Sequence, residues 1–147
     1  MNTEKIQILL ADDDEDDAHF FAKALKELTI ETELKVVVNG DDLMVFLKDE
    51  NNSMPDVLFL DINMPRKNGI DCLAEIKQIP RLKALPIVMF STSNEWDKIN
   101  LLFKTGANVY IHKPNDFQQL KQVIFHALPI STQKTSATND VKYILNA

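Results

Sequence analysis

Five short segments dense in β-branched and aromatic residues alternate along the chain with five longer stretches whose apolar residues recur at helical spacing. Ile6 to Ala11, Glu33 to Val38, Asp56 to Leu60, Pro86 to Phe90 and Asn108 to His112 are the strand candidates. Several are almost continuously apolar, as parallel strands covered on both faces must be. Between them run stripes at intervals of three and four. These are Ala18, Phe21, Ala22, Leu25 and Leu28; then Leu43, Phe46 and Leu47; then Leu73, Ile76 and Ile79. Trp96, Ile99 and Phe103 form a fourth, and Phe117, Leu120, Ile124, Ala127 and Leu128 a fifth. Each stripe gives one helix an apolar face. Asp116 is placed to cap the last helix, Gly106 to end the one before it, and Pro129 to stop the series. Strict alternation predicts an α/β fold: a doubly wound, five-stranded parallel sheet with five helices, in the common strand order 2-1-3-4-5.

At 147 residues the chain reads as one domain with a core large enough to need no staples. The first 129 residues hold all the strand and helix signals. The stretch from 130 to 147 opens with a polar, Ser- and Thr-rich run, read as a tail. Its last residues, "VKYILNA", turn apolar again and are suited to docking back or to pairing with another chain. A net charge of −6 argues against general affinity for nucleic acid or an anionic membrane. Cys72 is alone and forms no intrachain disulfide. No signal peptide and no apolar run of roughly 18 residues is present. The expectation is a cytoplasmic protein.

The candidate chemistry sits at strand ends. "ILLADDDEDD" drives an apolar run straight into six acidic residues, Asp12 to Asp17. In a doubly wound sheet the ligand crevice lies at the carboxyl ends of the strands, where the strand order reverses. That point lies between the first and third strands, so Asp12, Asp13 and Asp61 should meet there. Two unit charges about 4 Å apart cost roughly 4 kcal/mol at an effective dielectric of about 20. Such a cluster takes up protons or recruits a cation. Oxygen donors in a small, hydrated site suit Mg²⁺, with Mn²⁺ a substitute. Ser91 and Lys113 end the fourth and fifth strands and bring a hydroxyl and a point charge to the same edge. A carboxylate beside a cation, a hydroxyl and an ammonium is equipped to attack phosphorus.

These segments, "LLADDDEDD", "DVLFLDINMPRKNG", "PIVMFSTS" and "GANVYIHKP", resemble the receiver domain of two-component response regulators. Met64, Pro65 and Gly69 stand three, four and eight places after Asp61, and Ser91 and Lys113 follow at further steps of 30 and 22, matching the family's register. The resemblance covers roughly residues 4 to 129 and implies a flavodoxin-like fold. It makes Asp61 the phosphoacceptor and gives Mg²⁺ to Asp12, Asp13, Asp61 and the backbone carbonyl of Asn63. Ser91 would bind the phosphoryl group and move with it, Lys113 would pair with it, and Tyr110 would be the switch aromatic. A cis Lys113–Pro114 peptide is implied as well. Thr92 would partly close the route to the phosphoryl group. The "STS" run and the short extra segment resemble phytochrome-linked, stand-alone receivers.

The implied function is a single-domain response regulator. It would take phosphoryl from a sensor histidine kinase or phosphotransfer protein, catalyse only its own phosphorylation and slow dephosphorylation, and thereby alter a protein-binding face. No separate output domain fits after Pro129, so output would be contact with a downstream protein, onward transfer, or self-association as a homodimer. Two other readings stand beside it: a phosphorylation-independent interaction module of the same fold, and a phosphatase with an Asp nucleophile. The first would not need the complete set of charged groups. The second needs an acid/base near the nucleophile, often two places on, where this chain has Asn63. Asp14 to Asp17 are read as acidic residues favoured in a first helical turn rather than as ligands. Trp96 is read as a packing residue. Asn39–Gly40 is read as a loop, and His19, His112 and His126 as unrelated to metal or phosphotransfer.

Overall fold

The computed structural model describes residues 5–92, 95–107, 109–132 and 143–145. The first five strands are β1 (Ile6–Ala11), β2 (Thr32–Val37), β3 (Val57–Leu60), β4 (Ile87–Ser91) and β5 (Val109–His112). The helices are α1 (Glu15–Glu27), α2 (Gly40–Lys48), α3 (Gly69–Gln78), α4 (Trp96–Thr105) and α5 (Phe117–Thr132). All strand pairs are parallel, and the five expected strands take the expected order.

A short sixth strand, β6 (Tyr143–Leu145), lies parallel to β5 and completes the order β2-β1-β3-β4-β5-β6. It was not among the predicted strands, because three residues carry too little periodicity to be read. Pro129 does not stop α5, which continues to Thr132. Its ring removes one intrahelical donor near the helix end, where the neighbouring carbonyls are already running out of partners.

Side chains alternate between two cores. Leu9, Ala11, Leu58, Leu60, Met89 and Tyr110 face the helices α2, α3 and α4. Ile8, Leu10, Phe59, Val88, Phe90 and Ile111 face α1 and α5. On that second face Phe21, Phe59 and Phe90 meet edge-on, with ring centroids 4.9 to 6.3 Å apart. The helical stripes are largely as expected, with Ala24, Met44 and Leu102 joining them inside. Trp96 departs from its expectation: at 63% exposure it stands at the start of α4 and packs into neither core. The helix ends are well marked. Asp14 accepts the backbone N–H groups of Asp16 and Asp17, Asn68 accepts that of Asp71, and Gly106 closes α4 at φ 135°. Asp116 takes the Gln118 N–H at 3.0 Å, as a capping residue should.

Candidate functional site

The strand alternation decides which side chains meet beyond the sheet's carboxyl edge. Continuing the period of two past β1, β3 and β5 puts Asp12, Asp61 and Lys113 on the side of α1 and α5. The same count puts Ser91 and Tyr110 on the side of α3 and α4. Backbone bonds hold the edge together: the Asp61 N–H donates to the Ala11 carbonyl at 3.0 Å, and the Lys113 N–H to the Ser91 carbonyl at 2.8 Å.

Asp12, Asp13 and Asp61 do converge. One carboxylate oxygen from each lies within 4.8 Å of the others. Asp12 and Asp61 are buried, 1% and 6% exposed, whereas Asp13 opens to solvent. Lys113 reaches into the same cluster, its Nζ 2.9 Å from Asp12 Oδ2 and 3.3 Å from Asp61 Oδ2. The ammonium also lies 5.3 Å from the centre of the Phe90 ring. Each buried carboxylate has a backbone anchor. Asp12 Oδ1 accepts the Asp14 N–H at 3.0 Å, and Asp61 Oδ1 accepts the Ile62 N–H at 2.8 Å.

Burial dominates the electrostatics. Desolvation pushes the Asp61 carboxyl up to about 6, with the Lys113 charge pulling it down and the Asp12 charge adding to the rise. Asp12 is raised for the same first reason, against the hydrogen bond from Lys113. For Lys113 burial works against the charge, but its bonds to Asp17 and Asp12 outweigh this and hold the ammonium above the usual lysine range. One ammonium thus offsets only part of the negative charge. Three hard oxygen donors on a partly open edge fit a small divalent cation, which would relieve the remaining repulsion.

Ser91 is fully buried and hydrogen-bonded to the Tyr110 hydroxyl. Tyr110 is itself only 1% exposed, and burial raises its hydroxyl pKa. Asn63 is exposed in the loop after β3, two residues beyond Asp61. The Lys113–Pro114 peptide is trans, correcting the cis form implied by resemblance. Trans is the form an X–Pro bond ordinarily favours, by about 0.5–1 kcal/mol.

Three further residues belong to the site's construction. Asp17, assigned from sequence only to the helix dipole, places Oδ2 2.8 Å from Lys113 Nζ. Its position three residues into α1 was legible, but its contact spans 96 residues of sequence and was not. Gly40, read as loop, is the first residue of α2, with Asn39 capping it by accepting the Asp42 N–H at 2.7 Å. A side chain at Gly40 would overlap the Lys67 carbonyl, so α2 braces the loop that follows Asp61. Lys67 in turn pairs with Glu75, which also pairs with Lys48.

Comparison with known proteins agrees with this arrangement. The family model described as the response regulator receiver domain matches residues 8–125. Response regulator Rcp1 of Synechocystis sp. (strain ATCC 27184 / PCC 6803 / Kazusa) is 35% identical over 121 residues, spanning 80% of this chain and 82% of Rcp1. The phosphorylated cyanobacterial phytochrome response regulator RcpA aligns with a TM-score of 0.82 at 33% identity, over 90% of this chain and 98% of its own. The Mn(2+)-bound form of response regulator Rcp1 aligns with a TM-score of 0.78 at 32% identity, over 87% and 96%. By its strand order, its converging carboxylates and these likenesses, the chain belongs to the response regulator receiver-domain family.

Proposed function

We propose that this protein is a single-domain response regulator that accepts a phosphoryl group onto Asp61. The donor is a phosphohistidine on a sensor histidine kinase or a phosphotransfer protein. The observation that carries the reading is Asp61 itself, a buried carboxylate flanked by two further carboxylates and a lysine ammonium in one cluster. That cluster has the composition phosphoryl transfer requires: a nucleophilic oxygen, oxygen donors for a divalent cation, and a fixed positive charge.

In the transfer, an Asp61 carboxylate oxygen attacks phosphorus, the bond from phosphorus to the donor imidazole nitrogen breaks, and an acyl phosphate forms. Asp12, Asp13, Asp61 and the backbone carbonyl of Asn63 would hold Mg²⁺, for which Mn²⁺ can substitute. The cation supplies charge neutralisation for the phosphoryl oxygens and the nucleophile. Lys113 pairs with a phosphoryl oxygen, and Ser91 donates its hydroxyl to another. Attack by water on phosphorus later releases phosphate and restores the carboxylate, so the protein catalyses only its own modification and its slow reversal.

Ser91 and Tyr110 share a hydrogen bond on the face of α3 and α4. Recruiting Ser91 to the phosphoryl group therefore bears directly on Tyr110 and on the surface formed by α4, β5 and α5. The output is a changed affinity for a downstream protein or for a second copy of this chain. The setting is the cytoplasm, and among the described residues no helix is long and apolar enough to cross a membrane.

Incubation with acetyl phosphate or a phosphorylated kinase, with and without Mg²⁺, tests the reading. Stoichiometric, base-labile, metal-dependent incorporation that is lost in Asp61→Asn supports it. Multiple turnover would instead indicate a phosphatase, and no incorporation an interaction module.

A further inference from the structure

We infer that Asp17 is a positioning residue, which retains the Lys113 ammonium when the carboxylates of Asp12 and Asp61 turn to a divalent cation. The inference rests on the function proposed above. Three carboxylates contact Lys113 Nζ: Asp17 at 2.8 Å, Asp12 at 2.9 Å and Asp61 at 3.3 Å. Two of these belong to the oxygen cluster suited to a metal; Asp17 does not. A cation entering that cluster competes with Lys113 for the same oxygens. The Lys113 side chain is only 10% exposed, so an ammonium displaced from Asp12 and Asp61 without another partner would be left nearly dry. Asp17 provides that partner at no cost in movement.

Its placement suits the role. Asp17 lies in the first turn of α1, where its N–H donates to the Asp14 carboxylate at 3.1 Å. The helix is anchored behind it by the buried Phe21, Ala24 and Leu25. A cleft of about 160 Å³, lined by Asp17, Phe20, Phe90, Lys113 and Phe117, opens on this side, and Asp12 and Asp61 do not line it. Lys113 therefore keeps its bond to Asp17 on the side of the cleft, away from Asp12 and Asp61. A helix-dipole role is common to Glu15, Asp16 and Asp17, but of the three only Asp17 bonds to Lys113.

The test is a double-mutant cycle on Mg²⁺ binding, read by titration calorimetry on the full chain. Asp17→Asn is expected to weaken Mg²⁺ binding about five- to tenfold when Lys113 is present, and less than about twofold in a Lys113→Met background. Asp17→Glu should recover most of the affinity. Equal losses in both backgrounds would mean that Asp17 acts only through its general field, and would overturn the inference, as would no loss in either. Should Lys113→Met fail to fold, nitrogen-15 NMR of the Lys113 ammonium decides the matter. Its slowly exchanging protons are expected to survive Mg²⁺ addition in the wild type and to vanish in Asp17→Asn; their loss in the wild type refutes the retention. A wild type that binds no Mg²⁺ at all would sink the receiver reading itself, whereas normal binding without the coupling sinks only the role of Asp17.

Discussion

Gly69 is pressed against the backbone carbonyl of Asp61, eight residues upstream, so closely that a methyl group on its Cα would overlap the oxygen. The Gly69 N–H donates to the Ile62 carbonyl at 2.8 Å, closing the loop that leads from Asp61 into α3. The glycine is therefore a requirement of packing at Asp61. Gly69→Ala should destabilise the protein by about 2–4 kcal/mol through backbone displacement. It should also cut the rate of phosphoryl uptake at least about tenfold, because a misplaced carboxylate loses its line of attack. Urea unfolding and acetyl phosphate incorporation measure the two effects.

The raised Asp61 pKa predicts a pH dependence in metal-free protein. The group titrates near 6 in the folded chain against an ordinary value of 3.8. Between these values the native state binds more protons than the unfolded one, so this group's contribution favours folding at low pH and is lost as pH rises through about 6. At pH 7 the ionised, buried carboxylate is a liability. Asp61→Asn should then be more stable than metal-free wild type by up to about 3 kcal/mol, an advantage that shrinks as pH falls toward 4.5. Melting curves of the two proteins across that range, in EDTA, provide the check. Mg²⁺ at about a hundredfold excess over its Kd should raise wild-type stability by about 2.7 kcal/mol and leave Asp61→Asn nearly unmoved.

Thr92 follows the buried Ser91, is itself exposed, and its carbonyl lies 3.0 Å from His112 Nε2. That contact ties the segment after β4 to β5 at the mouth of the site. Under the proposed function, a branched side chain at this position would narrow the approach to the phosphoryl group. Thr92→Ala should shorten the acyl phosphate lifetime by about twofold or more, measured by loss of label after donor removal. An unchanged lifetime would assign Thr92 no part in access.

β6 has only three residues and pairs with one neighbouring strand, β5. It should be the most weakly held strand of the sheet. Ile144→Pro, which removes that residue's N–H from the edge strand, is expected to lower stability by less than about 1 kcal/mol and to leave phosphoryl uptake intact. Hydrogen exchange should be orders of magnitude faster at 143–145 than in β1, β3 or β4.

The alternation of apolar segments and the placement of acidic, hydroxyl and basic residues at their ends were enough to determine the doubly wound sheet, its order and the meeting of Asp12, Asp13, Asp61 and Lys113. These follow from rules acting along the chain: a period of two in strands, about 3.6 in helices, and a crevice wherever strand order reverses. Packing across the chain decided the rest. The bond from Asp17 to Lys113, the overlap that excludes a side chain at Gly40 or Gly69 and the pairing of β6 all depend on residues brought together by folding. A local pattern records which face of an element is apolar; how near two backbones come, and which of several carboxylates an ammonium can reach, is set only when those elements dock.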